Sequence, residues 1–234
     1  MELEIVYQDE HLVVINKPHG LLVHRSKIAR DVHEFALQIL RDQIQQAVYP
    51  VHRLDRKTSG LLIFALSKEI LKMMNQIFQD NAIKKEYLAI VRGWTPEEFT
   101  IDKSLPKENG TLQEALTHFK TLECIEKPWP LGKFETNRYS LIKAFPVTGR
   151  MHQIRRHLNH FRHPIIGDRP HGCNKQNKFL KEKFDISTMY LHALKVEFNH
   201  PLTGKSMVLQ ASLSKEYKYA KNNLFEFSTA LNDL

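Results

Sequence analysis

Val51-His52-Arg53-Leu54-Asp55-Arg56-Lys57-Thr58-Ser59-Gly60-Leu61-Leu62-Ile63-Phe64-Ala65-Leu66-Ser67 passes from a charged loop into an unbroken apolar run and then to a helix-capping residue. Leu61 to Leu66 reads as a short, continuously apolar strand. It is far short of the roughly 20 apolar residues that a membrane-spanning helix needs. Ser67 can cap a helix whose Ile70, Leu71, Met74, Ile77 and Phe78 form one stripe. Upstream, Ile5-Val6-Tyr7 and Leu12 to Ile15 flank the polar Gln8-Asp9-Glu10, an opening β-hairpin that ends at Lys17-Pro18. Asp31 and Glu34 have capping-box spacing ahead of a helix carrying Phe35, Ala36, Ile39, Leu40 and Ile44. Downstream, Glu86 to Arg92, Thr117 to Ile125, Arg138 to Phe145, Leu191 to Phe198 and Ser206 to Gln210 are predicted strands, the last two forming a hairpin across Asn199 to Gly204. Trp94 to Gly110, rich in Pro, Glu and Lys, is expected to be a mobile loop. Short turns between successive strands favour a largely antiparallel sheet with helices inserted rather than alternating regularly, an α+β fold.

The 234 residues, 42% hydrophobic and 26% charged, suit a single globular domain over 1–234. Cys124 and Cys173 lie 49 positions apart without CxxC spacing, so a disulfide framework or a four-thiolate zinc site is not expected, and a reduced compartment is. The first residues, with Glu2, Glu4, Asp9 and Glu10, lack the basic start and long apolar middle of a secretory signal. A cytoplasmic monomer without membrane contact is expected. The net charge of +8 points to a polyanionic partner.

Three segments carry chemistry. Asp55 stands among Arg53, Arg56 and Lys57 in a loop at the entrance of the apolar strand. Cationic neighbours favour an ionised, oriented carboxylate, suited to a nucleophile, whereas the bland alternative is a turn acceptor for Thr58 and Ser59. Thr148-Gly149-Arg150-Met151-His152-Gln153-Ile154-Arg155-Arg156-His157-Leu158 reads as a helix entered through a glycine turn. At about 100° per residue, Met151, Ile154, Leu158 and Phe161 make a compact apolar face, with Arg155 at its margin and Arg156 toward solvent. An arginine there needs an anion, because its charge cannot be shed, and Asp55 is the natural candidate; a snorkelling side chain is the alternative. On Lys84-Lys85-Glu86-Tyr87-Leu88-Ala89-Ile90-Val91, Tyr87 shares a face with Ala89 and Val91. It is either a core aromatic or a platform on which a base stacks.

His152, His157, His160 and His163 do not share a metal-ligand geometry, so no metal is expected and they read as surface residues near a polyanion. Lys175, Lys178 and Lys181 form a ridge if helical, able to meet phosphates or simply solvent.

In order and spacing, His52-Arg53-Leu54-Asp55 with Thr58-Ser59-Gly60, Lys85 to Ala89, Thr148-Gly149-Arg150 with His152-Gln153-Ile154-Arg155, His163 to Asp168, and Leu191-His192-Ala193 resemble the RluA-type pseudouridine synthases. Asn16 to Gly20 fits as well. The resemblance spans nearly the whole chain and implies the fold of that catalytic domain, a mixed, mainly antiparallel sheet with flanking helices and a central RNA-binding cleft, with no S4 module ahead of it. Leu22 to Ser26, Arg41 to Ile44 and Gln176 to Lys178 are most similar to the branch that isomerises uridine 65 in the T-stem of tRNA. A ribosomal-RNA isomerase and a non-catalytic RNA-binding protein are the alternatives. The resemblance implies no cofactor. It also implies Asp55 as nucleophile, Arg155 paired with it, Tyr87 stacking on the flipped base and assisting the proton that leaves C5, Arg53 holding the flipped nucleotide, and Leu191 lining the uracil pocket. Met151, where relatives carry Thr or Lys, is expected only to tune the helix.

Overall fold

An antiparallel hairpin, β1 (Glu4–Gln8) and β2 (Leu12–Lys17), opens the chain. Its turn is closed by Asp9, whose Oδ1 accepts from the backbone N–H groups of His11 and Leu12. The computed structural model describes residues 1–24 and 34–225. Asp31 of the expected capping box lies outside these. Helix α1 (Ala36–Ile44) instead has Phe35 at its N-cap, with no side-chain cap. Next come β3 (Tyr49–Pro50), β4 (Ser59–Ala65) and α2 (Lys68–Gln79). The Ser67 hydroxyl caps α2 by accepting from Ile70 N at 3.2 Å.

The chain continues through β5 (Lys84–Arg92), β6 (Glu98–Asp102), β7 (Leu105–Pro106), β8 (Leu112–Gln113), β9 (Leu116–Lys127) and β10 (Asn137–Pro146). Then follow α3 (Gln153–His160), α4 (Asn174–Phe184), β11 (Leu191–Asn199), β12 (Ser206–Gln210) and α5 (Lys215–Phe225). One sheet runs β1-β2-β4-β11-β5-β10-β9-β6, with β12 beside β11 and β3 beside β4. All its neighbouring strands are antiparallel except β4 and β11. The α+β expectation therefore holds.

The segment 94–110 departs from the expectation of a mobile loop. β6 pairs with β9 from Glu98↔Lys120 to Asp102↔Leu116, and Trp94 Nε1 donates to Ile125 O at 3.1 Å. Phe99 and Ile101 alternate inward while Glu98, Thr100 and Asp102 face out. That is the pattern of a short, charged edge strand.

The β4–β11 junction divides the sheet. It has only two parallel pairs, Ser59↔His192 and Gly60↔Ala193. Gly60 has φ +104°, and a Cβ on it would lie 2.2 Å from Ala193 O, so only glycine lets the strands approach this closely. On one face, α1 packs over β2 and β4 through Leu40, Leu62 and Phe64, and α3 packs over β5 and β10 through Leu158, Ala89 and Ile142. Tyr87 packs against both cores. A cleft lies between them.

Candidate active site

The loop before β4 delivers Asp55 to the upper end of the junction. Thr58 N donates to Asp55 O at 3.0 Å, closing a turn. The carboxylate is not that turn's acceptor: Ser59 Oγ bonds His192 Nδ1 at 2.9 Å instead. The loop is clamped to the end of the opening hairpin by Gly20 N to Arg56 O and by Arg56 Nε to Gly20 O, each 2.9 Å. Below it the fully buried Lys17 sends Nζ to Pro18 O and Leu21 O, both at 2.9 Å, and to Arg56 O at 3.3 Å.

Burial pushes the Lys17 ammonium down to about 7, while Asp55 pulls it upward. Three carbonyls match the three protons of an ammonium. Lys17→Met leaves Pro18 O and Leu21 O without this donor, while Arg56 O keeps Gly20 N, and is expected to lower stability by about 2–4 kcal/mol. A shift of the urea midpoint checks this.

Helix α3 is fixed by its polar residues. Gln153 accepts from Thr148 Oγ1 at 2.7 Å and Arg150 N at 2.9 Å, and donates to Leu116 O at 3.0 Å and Thr117 Oγ1 at 2.9 Å. His157 is buried, with Nδ1 3.0 Å from Thr117 Oγ1 and Nε2 3.0 Å from Lys103 O. It is a structural pin, not the surface histidine expected. Arg156 is half-buried and donates to Pro106 O at 3.1 Å. The apolar face is smaller than the helical wheel implied, because the helix begins at Gln153. Met151 precedes it, is 46% exposed and lines the cleft rather than tuning the helix.

With α3 fixed in this way, Arg155 is 5% exposed and spans two carboxylates. Nη1 donates to Asp55 Oδ2 at 2.8 Å, while Nε and Nη2 donate to Asp168 Oδ2 and Oδ1 at 2.7 and 2.9 Å. The two-pronged contact is thus with Asp168, a residue that sequence reasoning assigned no role, and Asp55 receives one bond. Burial raises the Asp168 carboxyl, but the Arg155 hydrogen bonds and charge outweigh it and hold the group below its ordinary value. His152 and His171 were also missed as site residues. His152 Nε2 lies 3.7 Å from Asp55 Oδ1, and its Nδ1 is 2.9 Å from His171 Nε2.

Arg53, Asp55, Tyr87, Arg155 and Leu191 all line one open cleft of about 400 Å³, within the roughly 300–1,000 Å³ usual for small-ligand sites. Tyr87 is half-buried, and its phenol is pushed upward by burial and by the Asp55 charge. Leu191 is 3% exposed and Arg53 is open to solvent. Lys85 also lines the cleft. Among the described residues no group of three or more His, Cys, Asp and Glu is placed to hold a metal ion. No described helix is long and apolar enough to cross a membrane.

Residues 11–160 match a family model described as RNA pseudouridylate synthase. A protein of Vibrio parahaemolyticus serotype O3:K6 named tRNA pseudouridine synthase C is 46% identical over 229 residues, 93% of each chain. A Haemophilus influenzae protein of the same name is 42% identical over 231 residues, 94% of this chain and 97% of its own. Two solved structures superpose on this one. Human RNA Pseudouridylate Synthase Domain Containing 1 has a TM-score of 0.72 at 23% identity, covering 91% of this chain and 84% of that one. Human RNA Pseudouridylate Synthase Domain Containing 4 has a TM-score of 0.71 at 24% identity, covering 94% and 92%. These two likenesses are of fold. The matched span carries the loop that presents Asp55, the strand that places Tyr87 in the same cleft and the helix that brings Arg155 to it, and by that match the chain belongs to the RNA pseudouridylate synthase family.

Proposed function

We propose that the chain converts uridine 65 in the T-stem of tRNA to pseudouridine, with Asp55 as the nucleophile. The observation that carries the reading is the Asp55 carboxylate at the cleft, held by Arg155 Nη1 at 2.8 Å. One guanidinium bond restrains it and leaves other lone pairs free to attack. The reaction breaks the C1′–N1 bond, turns the uracil and joins C1′ to C5, while the proton leaves C5 and N1 gains one. No atom or electron is exchanged with a cofactor. Asp55 attacks C1′ of the ribose or C6 of the base, and both routes use the same carboxylate.

A uridine paired in a stem must leave the helix to reach Asp55, at a cost of a few kcal/mol. Tyr87 stacks on the extruded base, Leu191 covers an edge of it, and the exposed Arg53 holds the nucleotide at the rim. The names of the relatives support tRNA as the substrate class. The test is incubation with unmodified tRNA and with ribosomal RNA, followed by mapping of pseudouridine. A single new mark at position 65 of tRNA is expected. Marks only in ribosomal RNA would transfer the activity to that substrate, and none in either would leave a binding protein.

The ridge on α4 bears on affinity. Lys175, Lys178 and Lys181 are exposed, and Lys178 pairs with Glu182 at 3.7 Å. Lys178→Glu is expected to weaken tRNA binding and to reduce the salt slope by about one, with little change in single-turnover rate at saturation. Filter binding across a salt series checks this. A large fall in the saturated rate would contradict a phosphate contact that only positions the RNA.

A further inference from the structure

Against the loop that carries Asp168 lies a second hollow, of about 420 Å³, between residues 167–169 and one face of α4. Arg169, Lys178 and Lys181 line it together with the polar Asn174 and Ser187, and no carboxylate does. Lys178 pairs with Glu182 at 3.7 Å; among the described residues neither Arg169 nor Lys181 forms an ion pair or a side-chain hydrogen bond. Past Ser187 the sign changes, since Asp185 and Glu216 outnumber Lys215 around the next hollow. A concave surface of one sign concentrates the potential that draws an anion, and here that surface is confined to one pocket.

The pocket is built on the same loop as the bridge made by Arg155. Gly167 N donates to Asn177 Oδ1 at 2.9 Å and Asn177 Nδ2 to Asp168 O at 2.7 Å, which ties the loop to α4. Asp168 gives both carboxylate oxygens to Arg155, the residue that restrains Asp55, while Arg169 lines the pocket. On the cleft side Lys57, two residues after Asp55, has its ammonium lowered first by burial and next by the Arg169 charge, so the pocket and the nucleophile's loop are neighbours. Resting on the reading of the chain as a tRNA isomerase, we propose that this pocket holds one phosphate of the RNA strand that carries the target, at a fixed offset from Asp55. A guanidinium can meet two phosphate oxygens at once, and Lys178 and Lys181, three apart on a helix, share a face. Contacts of this kind fix register and orientation without reading a base. The offset is fixed because Asp168 and Arg169 are consecutive in a tethered loop.

The test proceeds phosphate by phosphate. Full-length tRNA is assembled with a single neutral methylphosphonate at each position flanking the target in turn, and binding is measured for the parent, Arg169→Gln and Lys181→Gln. In the parent, one position should weaken binding about tenfold when neutralised. Both variants should bind unsubstituted tRNA about tenfold more weakly, with a salt slope reduced by about one, and should be indifferent to the substitution at that one position. Saturated single-turnover rates should fall less than the affinities. Both side chains are exposed, so neither substitution should unfold the protein. Parental affinity in both variants would overturn the proposal. So would the same phosphate pattern in parent and variants, because the charges would then act only as a diffuse field. Inorganic phosphate that raises the melting temperature of the parent and not of Arg169→Gln, with the RNA pattern unchanged, would also overturn it, since the pocket would then serve a free anion. Pseudouridine mapping on the same tRNA reports separately on the isomerase reading: a parent that shows the phosphate pattern and forms no pseudouridine keeps the pocket and loses that reading, and a parent that marks the tRNA without the pattern does the reverse.

Discussion

Asp55→Asn is expected to bind tRNA at least as tightly as the parent and to form no pseudouridine, a loss on the order of 10⁴-fold or more, as for other nucleophile deletions. The amide has the shape of the carboxylate and keeps an oxygen that can accept from Arg155 Nη1, so the bond now 2.8 Å long has a replacement. Arg155 also keeps both bonds to Asp168. The fold should persist, with stability within about 1 kcal/mol of the parent's. Affinity should not fall, because the substitution removes a negative charge from a cleft that also presents Arg53, Lys85 and Arg155 to an anionic ligand. The amide cannot form the covalent bond to carbon that the reaction needs. Tritium release from 5-labelled uridine in tRNA, with binding measured on the same preparation, checks this. Turnover at the parental rate would remove Asp55 from its role.

The contact between Asp55 and Arg155 was legible from the sequence because two local constraints converge on it. The helical wheel puts Arg155 at the edge of a buried face, and a guanidinium there cannot neutralise itself. The second carboxylate was not legible. Asp168 follows a Gly167 at φ +80° that lies against Thr188 O, and its backbone is held by Asn177 of α4, which accepts from Gly167 N and donates to Asp168 O. Its direction depends on a helix and a strand end that no local pattern brings together. A buried arginine with three donor positions did imply more acceptor oxygen than one contact supplies. The His152–His171 pair was hidden similarly, since wheel geometry assumes a helix at a position where the backbone is left-handed. Composition misled at Trp94 to Gly110. The alternation of Phe99 and Ile101 with the polar Glu98, Thr100 and Asp102 was the better guide, and it marks an edge strand.

Arg155→Lys should cost far more than an exchange of like charges suggests. The guanidinium holds two carboxylates through three separate N–H groups, and Asp168 is 1% exposed. An ammonium on a lysine stem has no planar fork, so it cannot give Asp168 a parallel pair and still span to Asp55. If it stays with Asp168, Asp55 loses its restraint, and a misplacement of about 1 Å can cost roughly 10²-fold in rate. If it turns to Asp55, a buried carboxylate is left with too few donors. Either way a stability loss of about 2–4 kcal/mol at pH 7 is expected. The loss has a pH signature. Arg155 holds the Asp168 carboxyl below its ordinary value, so its contribution to stability is complete above the unfolded value of about 3.9 and disappears as pH falls through the folded value. The gap between parent and variant should therefore narrow on acidification. Urea titrations at neutral and acid pH, paired with saturated single-turnover rates, measure both effects. Equal stabilities and rates at pH 7 would mean that the two-carboxylate bridge contributes nothing, whereas a rate loss without a stability loss would confine its role to aiming Asp55.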